Sequence, residues 1–560
     1  MYVEIENLLQ KRAIDMSFSL LRRIGTATTM LLLAACSRVD VAITNAADAR
    51  FGHIWVTVDQ LWFHVDASAA PEDAGWHKVT LAAPVTFDLA ILSNGTFSDI
   101  GSAQNLPAGT YGQLRLILKA TTDPLTSSAV NGGLQYNNQV DYTDTAGLDQ
   151  HQPLDLLAPA KGIGIPGEFM LKSNAISAVV ASFNTRRDIA QLNYGDRVAF
   201  LLRPAAAITD LAQAGAIAGQ VDTASLDNFT AGGAYDVVVN AESLSAEGLR
   251  HVVSRSTPLA ADGSFILAPL TIASGGAASS YDVVITGRNL QTVIIKDVKV
   301  KRAASAATLL ETATKIQPSA IPLTLGAEFN VNVDPAFPIS PRGATLSFYQ
   351  TVAGGSEVPY PIVFTHVDPL SGTLANNLAL SREPLNVGTY NNGADINFNS
   401  VIPQEGAGTF QAFAEQADYG RTAATKNISV ADAINAVSYF AIPALPVQSP
   451  ATADAIGGTV VRQGNSGSDA GYLFISRNGD VVTTLALNAL LSQSVNSSHP
   501  FFVGNLPGGT RTVPFASGVY ELDARTWVSS ASGGTLNSTA LGTSVSLRNG
   551  SPANIQMPVN

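Results

Sequence analysis

The side chains able to do chemistry are few, and most lie in the first third of the chain. His64, Asp66, Glu72, Asp73 and His77 fall within 14 positions. Imidazole nitrogens and carboxylate oxygens are what zinc and other divalent ions bind, and two strands joined by a loop would let His64 and His77 approach. Asp141, Asp144 and Asp149 share one acidic loop. Such a loop either holds calcium or is simply solvated, and its spacing is not that of an EF-hand. His64, Asp66, His77, Asp141, Asp144 and Asp149 are therefore the candidate metal ligands.

Catalytic machinery is not marked. Gly464-Asn465-Ser466-Gly467-Ser468 misses the nucleophile-elbow pattern because its second glycine comes one residue early. No HExxH, Walker or EF-hand pattern occurs. Glycoside hydrolysis needs two carboxylates about 5–9 Å apart, and no spacing marks such a pair. Cys36 is the only cysteine, which excludes an intrachain disulfide and a multi-cysteine zinc site. Trp55 and Trp62 differ by an odd number, so on one straight strand they face opposite sides. Core packing is the expectation for most of the four tryptophans (Trp76 and Trp527 are the others); an exposed platform for sugar stacking is the alternative. His53 reads as a rim residue packed on Trp55.

The elements that position these residues are strands. Charged residues make up 14% of the 560, against about 25% in an average soluble chain, while hydrophobic residues reach 46%. That is enough to bury several cores. Lys and Arg number 32 against 44 Asp and Glu, and the net charge of −12 argues against a phosphate-neutralising, nucleic-acid-binding surface. Period-2 alternation recurs, as in Ile54-Trp55-Val56-Thr57-Val58-Asp59 and Leu114-Arg115-Leu116-Ile117-Leu118-Lys119, split by turns such as Asn94-Gly95 and Asp262-Gly263-Ser264. This predicts an all-β fold of serial antiparallel sandwiches.

Short similarities recur too. Asn105 to Thr110 is echoed by Asn505 to Thr510, Ala216 to Val221 by Ala455 to Val460, Tyr235 to Val239 by Tyr281 to Ile285, and Ala108 to Tyr111 by Val387 to Tyr390. Alanine-rich joins at 205–215 and 302–322, the second with a short helix around 306–315, and a proline-rich spacer at 443–450 divide the chain. The expected units are 1–35, 36–212, 213–303, 304–445 and 446–560. Whether 318–445 is one sandwich or an irregular insertion stays open.

Residues 16–36 carry an address. Arg22 and Arg23 precede the apolar run Ile24 to Ala35, too short to span a bilayer of about 30 Å. The run ends in Leu33-Ala34-Ala35-Cys36, which resembles the lipobox of bacterial lipoproteins. The resemblance implies a signal peptide cleaved before Cys36, with a diacylglycerol thioether and an N-acyl chain on that cysteine, since only a thiol can form the thioether. Met16 reads as the start and residues 1–15 as an upstream extension. Ser37 rather than Asp at the next position resembles the outer-membrane sorting pattern of Gram-negative cells.

Two further resemblances cover the body. Val41-Ala42-Ile43-Thr44-Asn45-Ala46, Gly75-Trp76-His77-Lys78-Val79, Leu106-Pro107-Ala108-Gly109-Thr110-Tyr111, Phe183-Asn184-Thr185-Arg186-Arg187-Asp188 and Leu201-Leu202-Arg203-Pro204 follow in an order similar to a bacterial lipoprotein domain family of unknown function, number 4382. That family implies a β-rich fold and a surface location but no activity, and Asn184 stands where it usually has an acid. Ile217-Ala218-Gly219-Gln220-Val221 and an Asp262-Gly263-Ser264-Phe265 hairpin resemble a carboxypeptidase-regulatory or transthyretin-like sandwich, with residues 455–560 a looser second copy.

The expected function is that of a lipid-anchored, non-enzymatic binding or scaffold protein of the bacterial envelope, with no cofactor beyond the acyl chains and calcium as the one optional ion. Its partners would be the membrane and an envelope protein or glycan. A glycan-binding or adhesin-type surface protein is the alternative, and a hydrolase with its site assembled between domains the second.

Overall fold

The structure is a computed structural model. It describes residues 37–559, apart from 157–160, 203–205, 230–234, 335–343, 368–377, 416–425, 430–436, 442–453, 507–518, 528–536, 539–542, 547–554 and scattered single or paired loop positions. Cys36 with its signal segment, the spacer at 443–450, Glu72 and Ser466 lie outside the described residues.

The chain is all-β and built as serial antiparallel sandwiches. The first unit holds β1 (Ser37–Ala46), β2 (His53–His64), β3 (His77–Asp88), β4 (Ser98–Leu106), β5 (Gly109–Leu118), β6 (Gln139–Thr143), β7 (Asp149–Leu156), β8 (Ile163–Leu171), β9 (Ile176–Asn184), β10 (Ile189–Tyr194), β11 (Arg197–Leu202) and β12 (Ala207–Asp210). The second holds β13 (Ala214–Gln220), β14 (Val238–Leu244), β15 (His251–Pro258), β16 (Ser264–Thr271), β17 (Ala278–Thr286), β18 (Val293–Lys301) and β19 (Thr314–Lys315). The third stretch carries β20 (Glu328–Asp334), β21 (Ala344–Gln350), β22 (Tyr360–Val367), β23 (Leu378–Ser381), β24 (Leu385–Thr389), β25 (Asn399–Val401), β26 (Thr409–Glu415), β27 (Lys426–Ser429) and β28 (Val437–Ala441). The fourth has β29 (Asp454–Arg462), β30 (Ala470–Arg477), β31 (Asp480–Ala486), β32 (Ser498–Leu506), β33 (Val519–Trp527), β34 (Asn537–Ser538), β35 (Thr543–Ser546) and β36 (Ile555–Val559).

One plan recurs in all four. The opening strand pairs antiparallel with one partner and parallel with another: β1 with β4 and β9, β13 with β16 and β19, β20 with β23 and β28, β29 with β32 and β36. The next strand sits between two antiparallel neighbours: β2 between β3 and β5, β14 between β15 and β17, β21 between β22 and β26, β30 between β31 and β33. A further antiparallel strand closes each second sheet: β8 on β5, β18 on β17, β27 on β26, β35 on β33. Inward side chains of the two sheets then meet, as Val39, Val41, Ile43, Leu114, Ile165 and Val179 do in the first unit. Residues 318–445 thus contain a sandwich of the same plan. Two of the sequence echoes fall on equivalent strands: Ala216 and Ala455 on opening strands, Leu106 and Leu506 at the end of the strand that pairs with them.

Strand pairing crosses the boundary expected after residue 303. β19 completes the second unit, and β24 runs parallel to β18, so the sheet reads β15-β14-β17-β18-β24-β25. Ile396, between β24 and β25, joins the second core. The expected helix at 306–315 is a 3-10 turn, Ala306–Thr308, with the Ser305 and Thr308 side chains capping it, and then β19. The Asp262-Gly263-Ser264 turn is present, Gly263 taking φ +81°, but it does not make a hairpin: β15 and β16 belong to different sheets. Among the described residues no helix is long and apolar enough to cross a membrane.

Candidate functional site

The structure does not bring His64 and His77 together. His77 pairs with Phe63, the residue before His64, so the two imidazoles leave opposite faces of the sheet. His77 lies 6.1 Å from Tyr111 on the core side. His64 accepts at Nδ1 from the Asp66 amide (2.9 Å) and donates from Nε2 to Ala74 O (3.0 Å), with its ring 4.9 Å from Trp76. Both ring nitrogens are engaged, which leaves no lone pair for a metal.

The acidic loop is likewise occupied by its own donors. Asp141 accepts from Trp55 Nε1 (2.9 Å), Gln139 Nε2 (2.7 Å) and His151 Nδ1 (2.7 Å). Asp144 accepts from the Ala146 and Leu148 amides and from Gln150, and these bonds, the Leu148 amide foremost, hold its carboxyl below the usual value. Asp149 accepts from Thr143 Oγ1. Among the described residues no three His, Cys, Asp or Glu side chains form a metal set.

Three of the four tryptophans are not core residues, and the side chain of Trp527 lies outside the described ones. Trp55, Trp62 and Trp76 are half-buried, and all stand outside the first core. A bulge between Val58 and Gln60 shifts the register of β2 against both neighbours. The core positions therefore run Ile54, Val56, Val58 and then Leu61, Phe63, and Trp55 and Trp62 share the outer face. Trp62 lies 5.9 Å from Trp76, with Lys78 Nζ 3.7 Å above its ring. His53 stacks on Trp55 at 5.4 Å and pairs with Asp88. Arg115, on the face opposite Leu114 and Leu116, is buried as well, donating to Lys161 O and lying over Trp76.

The groups with the most unusual environments sit between units. At the top of β1, Arg255 of β15 donates from Nη2 to Thr44 Oγ1 (2.9 Å) and Asn45 O (3.2 Å). Burial pushes its guanidinium down to about 10, which leaves it charged at neutral pH. Asn45 in turn exchanges hydrogen bonds with Thr185. Arg186 holds Asp236 through two bonds of 2.6 Å, and the Asn94-Gly95 turn bonds Thr257 and Ile266. Arg186 belongs to the Phe183–Asp188 motif and Asp236 to the Tyr235 echo, so each was visible, but not as a pair. Asn184 Oδ1 is buried without a partner, while its amide donates to Asp188.

The second joint is acidic. Glu242 of β14 stands opposite Asp282 of β17. Glu242 is fully buried, and neither carboxylate oxygen has a hydrogen-bond partner. Burial first, and the Asp282 charge second, raise its carboxyl well above the usual 4.5. Tyr360 donates to Asp282 Oδ2 (2.7 Å) and stacks on His251 at 3.8 Å; the His251 amide donates to Pro359 O. His251 Nδ1 lies 3.8 Å from Asp282 Oδ2, and burial lowers its pKa. Lys296 pairs with Glu357 at 2.5 Å. Carboxylates, an imidazole and a phenol thus converge between domains, but Glu242 and Tyr360 have no solvent exposure. A substrate could reach them only by parting the units. A third contact joins the first and fourth units, where Arg525 donates to Asp155 (2.7 Å), Leu156 O (2.7 Å) and Asp523 (3.0 Å).

One open groove, of about 450 Å³, runs beside Lys296 and is lined by Thr389, Tyr390, Asn391, Asp395, Asn397 and Asn399 of the β24–β25 hairpin.

Residues 36–204 match the family described as "Domain of unknown function (DUF4382)". Among curated proteins none matches this chain. Of solved structures, the Bacillus anthracis TIE protein is similar at 10% identity and a TM-score of 0.16, over 99% of this chain and 78% of that one. The Corynebacterium diphtheriae major pilin SpaA is similar at 11% and 0.13, over 72% and 98%. The pilus adhesin SpaC of Lactobacillus rhamnosus GG is similar at 11% and 0.12, over 90% and 57%. At these TM-scores nothing of their biology transfers.

Proposed function

We propose that this chain, its first unit matching a domain family of unknown function, is a lipid-anchored bacterial envelope protein that serves as a non-enzymatic binding or scaffold module. The observation that carries the reading is where the buried and half-buried ionisable groups are spent. Arg255, Arg186, Glu242, Asp282 and Arg525 lie in joints between sandwiches rather than around an open cleft. An enzyme needs its perturbed groups where substrate can reach them; a scaffold needs them where they fix one unit against the next. The Leu33-Ala34-Ala35-Cys36 pattern supports the anchor, and the outer membrane is its place where the cell is Gram-negative. We read the second and fourth units as carboxypeptidase-regulatory or transthyretin-like modules on their sequence cues, the strand plan itself being common to all four units.

The test is intact mass and membrane fractionation of the wild type against Cys36→Ser, both expressed from Met16. An acylated chain starting at Cys36 in the membrane fraction, with a soluble variant, supports the anchor. Two soluble proteins that keep residues 16–35 would end it.

The groove beside Lys296 favours a second reading, a glycan-binding surface protein, because amide, hydroxyl and carboxylate groups with one tyrosine suit a polyhydroxyl ligand. A carbohydrate array gives hits that Tyr390→Ala abolishes, or it gives none and the reading falls.

A further inference from the structure

We infer that the end of the first sandwich carrying Ser37 is a membrane-facing surface that lies on a phospholipid bilayer, with Val65, Met170 and Ile176 as its contacts. The inference rests on the Cys36 anchor proposed above. β1 begins at Ser37, one peptide bond and about 3.8 Å from Cys36, so no linker separates an acylated residue from the folded sheet. What lies around the start of β1 must then meet the lipid.

The registers identify that end. Ser37 pairs with Leu106, which places the exposed Pro107–Ala108 turn beside it. Arg38 pairs with Ile176, the first residue of β9, and Ser177 Oγ donates to Met170 O. β2 ends next to the start of β5, His64 facing Gln113, so Val65 emerges at the same end. Val65 is 64% exposed, Met170 52% and Ile176 66%, and the registers bring all three to this one end of the domain. Lys172, exposed in the β8–β9 turn, adds a cation near anionic headgroups. The opposite end is already taken: Thr44 and Asn45, about 25 Å further along β1, hold Arg255 of the second unit. The same strand therefore runs from the anchor at one end to the next domain at the other. Acyl chains supply the binding strength; the three side chains set which face is down, so the other units project away from the bilayer.

The single cysteine allows a test that bypasses cellular lipidation. The chain from Cys36 is coupled through its thiol to a maleimide-headgroup lipid in phosphatidylethanolamine–phosphatidylglycerol vesicles, and amide exchange is compared with free protein. Slowed exchange confined to peptides carrying Val65, Pro107–Ala108 and Met170–Ile176 is expected, and it should be lost in the equally tethered V65S/M170S/I176S variant, whose thermal melt in solution should match the wild type. Exchange unchanged on tethering, protection centred instead on other exposed apolar positions such as Ile91, Val130 or Leu148, or a triple variant protected like the wild type would each overturn the inference. A soluble, unacylated protein in cells would overturn the anchor reading instead, and the two failures are distinguishable.

Discussion

Glu242 shows how much one side chain's setting can change its chemistry. In β14 it occupies an outward position in a regular alternation, Val239 and Ala241 facing the core. A charged residue there reads as solvated. Tyr360 of the third sandwich, held on Asp282, packs against this position, and burial without a hydrogen-bond partner disfavours the charged carboxylate. Because the folded pKa lies above the unfolded value of 4.5, the native state binds a proton here more tightly than the unfolded chain does. The contribution to stability is complete below about pH 4.5 and falls as pH rises toward the folded pKa, by up to roughly 1.4 kcal/mol per unit. Hydrogen exchange of β14 and β17 amides should report opening that becomes easier from pH 5 to 8 in the wild type. Glu242→Gln, neutral at every pH, should flatten that slope. A wild type with no slope would show Glu242 ionising freely.

At the scale of elements, two devices hid the layout from sequence reasoning. The bulge in β2 inserts one residue between Val58 and Leu61, and with it every later side chain changes face. Trp55 and Trp62 then share the outer surface, where parity alone had separated them. The β24–β25 hairpin is the second device: it lies among third-unit strands in sequence but pairs with β18 of the second. Ile396 between its strands is nearly buried in the second core. Ile396→Ala should therefore cost about 2–4 kcal/mol in the second unit, read as faster exchange in β14, β17 and β18, with the β21–β26 pairing of the third unit unaffected. Loss in the third unit alone would place the hairpin there.

For the whole molecule, the sandwiches of one strand plan are joined by polar contacts as well as by the β18–β24 pairing and the small apolar cluster of Phe97 and Leu211 with Ala216, Ala268 and Leu309. Arg525 is the longest-range of these in sequence, holding Asp155 of the first unit while also paired with Asp523 of its own. Burial raises Asp523 to about 6 although Arg525 pulls it down, so removing the guanidinium leaves a buried carboxyl without its cation. Arg525→Ala should separate the first and fourth units and enlarge the radius of gyration measured by small-angle scattering, the sandwiches themselves staying folded by circular dichroism. An unchanged radius would mean that other contacts hold the two units.

The sequence by itself determined the all-β class, the turns at Asn94-Gly95 and Asp262-Gly263, the rim position of His53 on Trp55 and the family resemblance of the first unit. All of these follow from local alternation, backbone preference or matched motifs. Only the tertiary structure decided that His64 and His77 diverge, that the aspartates of the 141–149 loop spend their oxygens on nearby N–H and O–H donors, and that Arg255 and Glu242 are buried. Burial of an outward-facing residue depends on what packs over it, and here the cover comes from another sandwich, distant in sequence, whose approach leaves no periodic mark on the strand it covers.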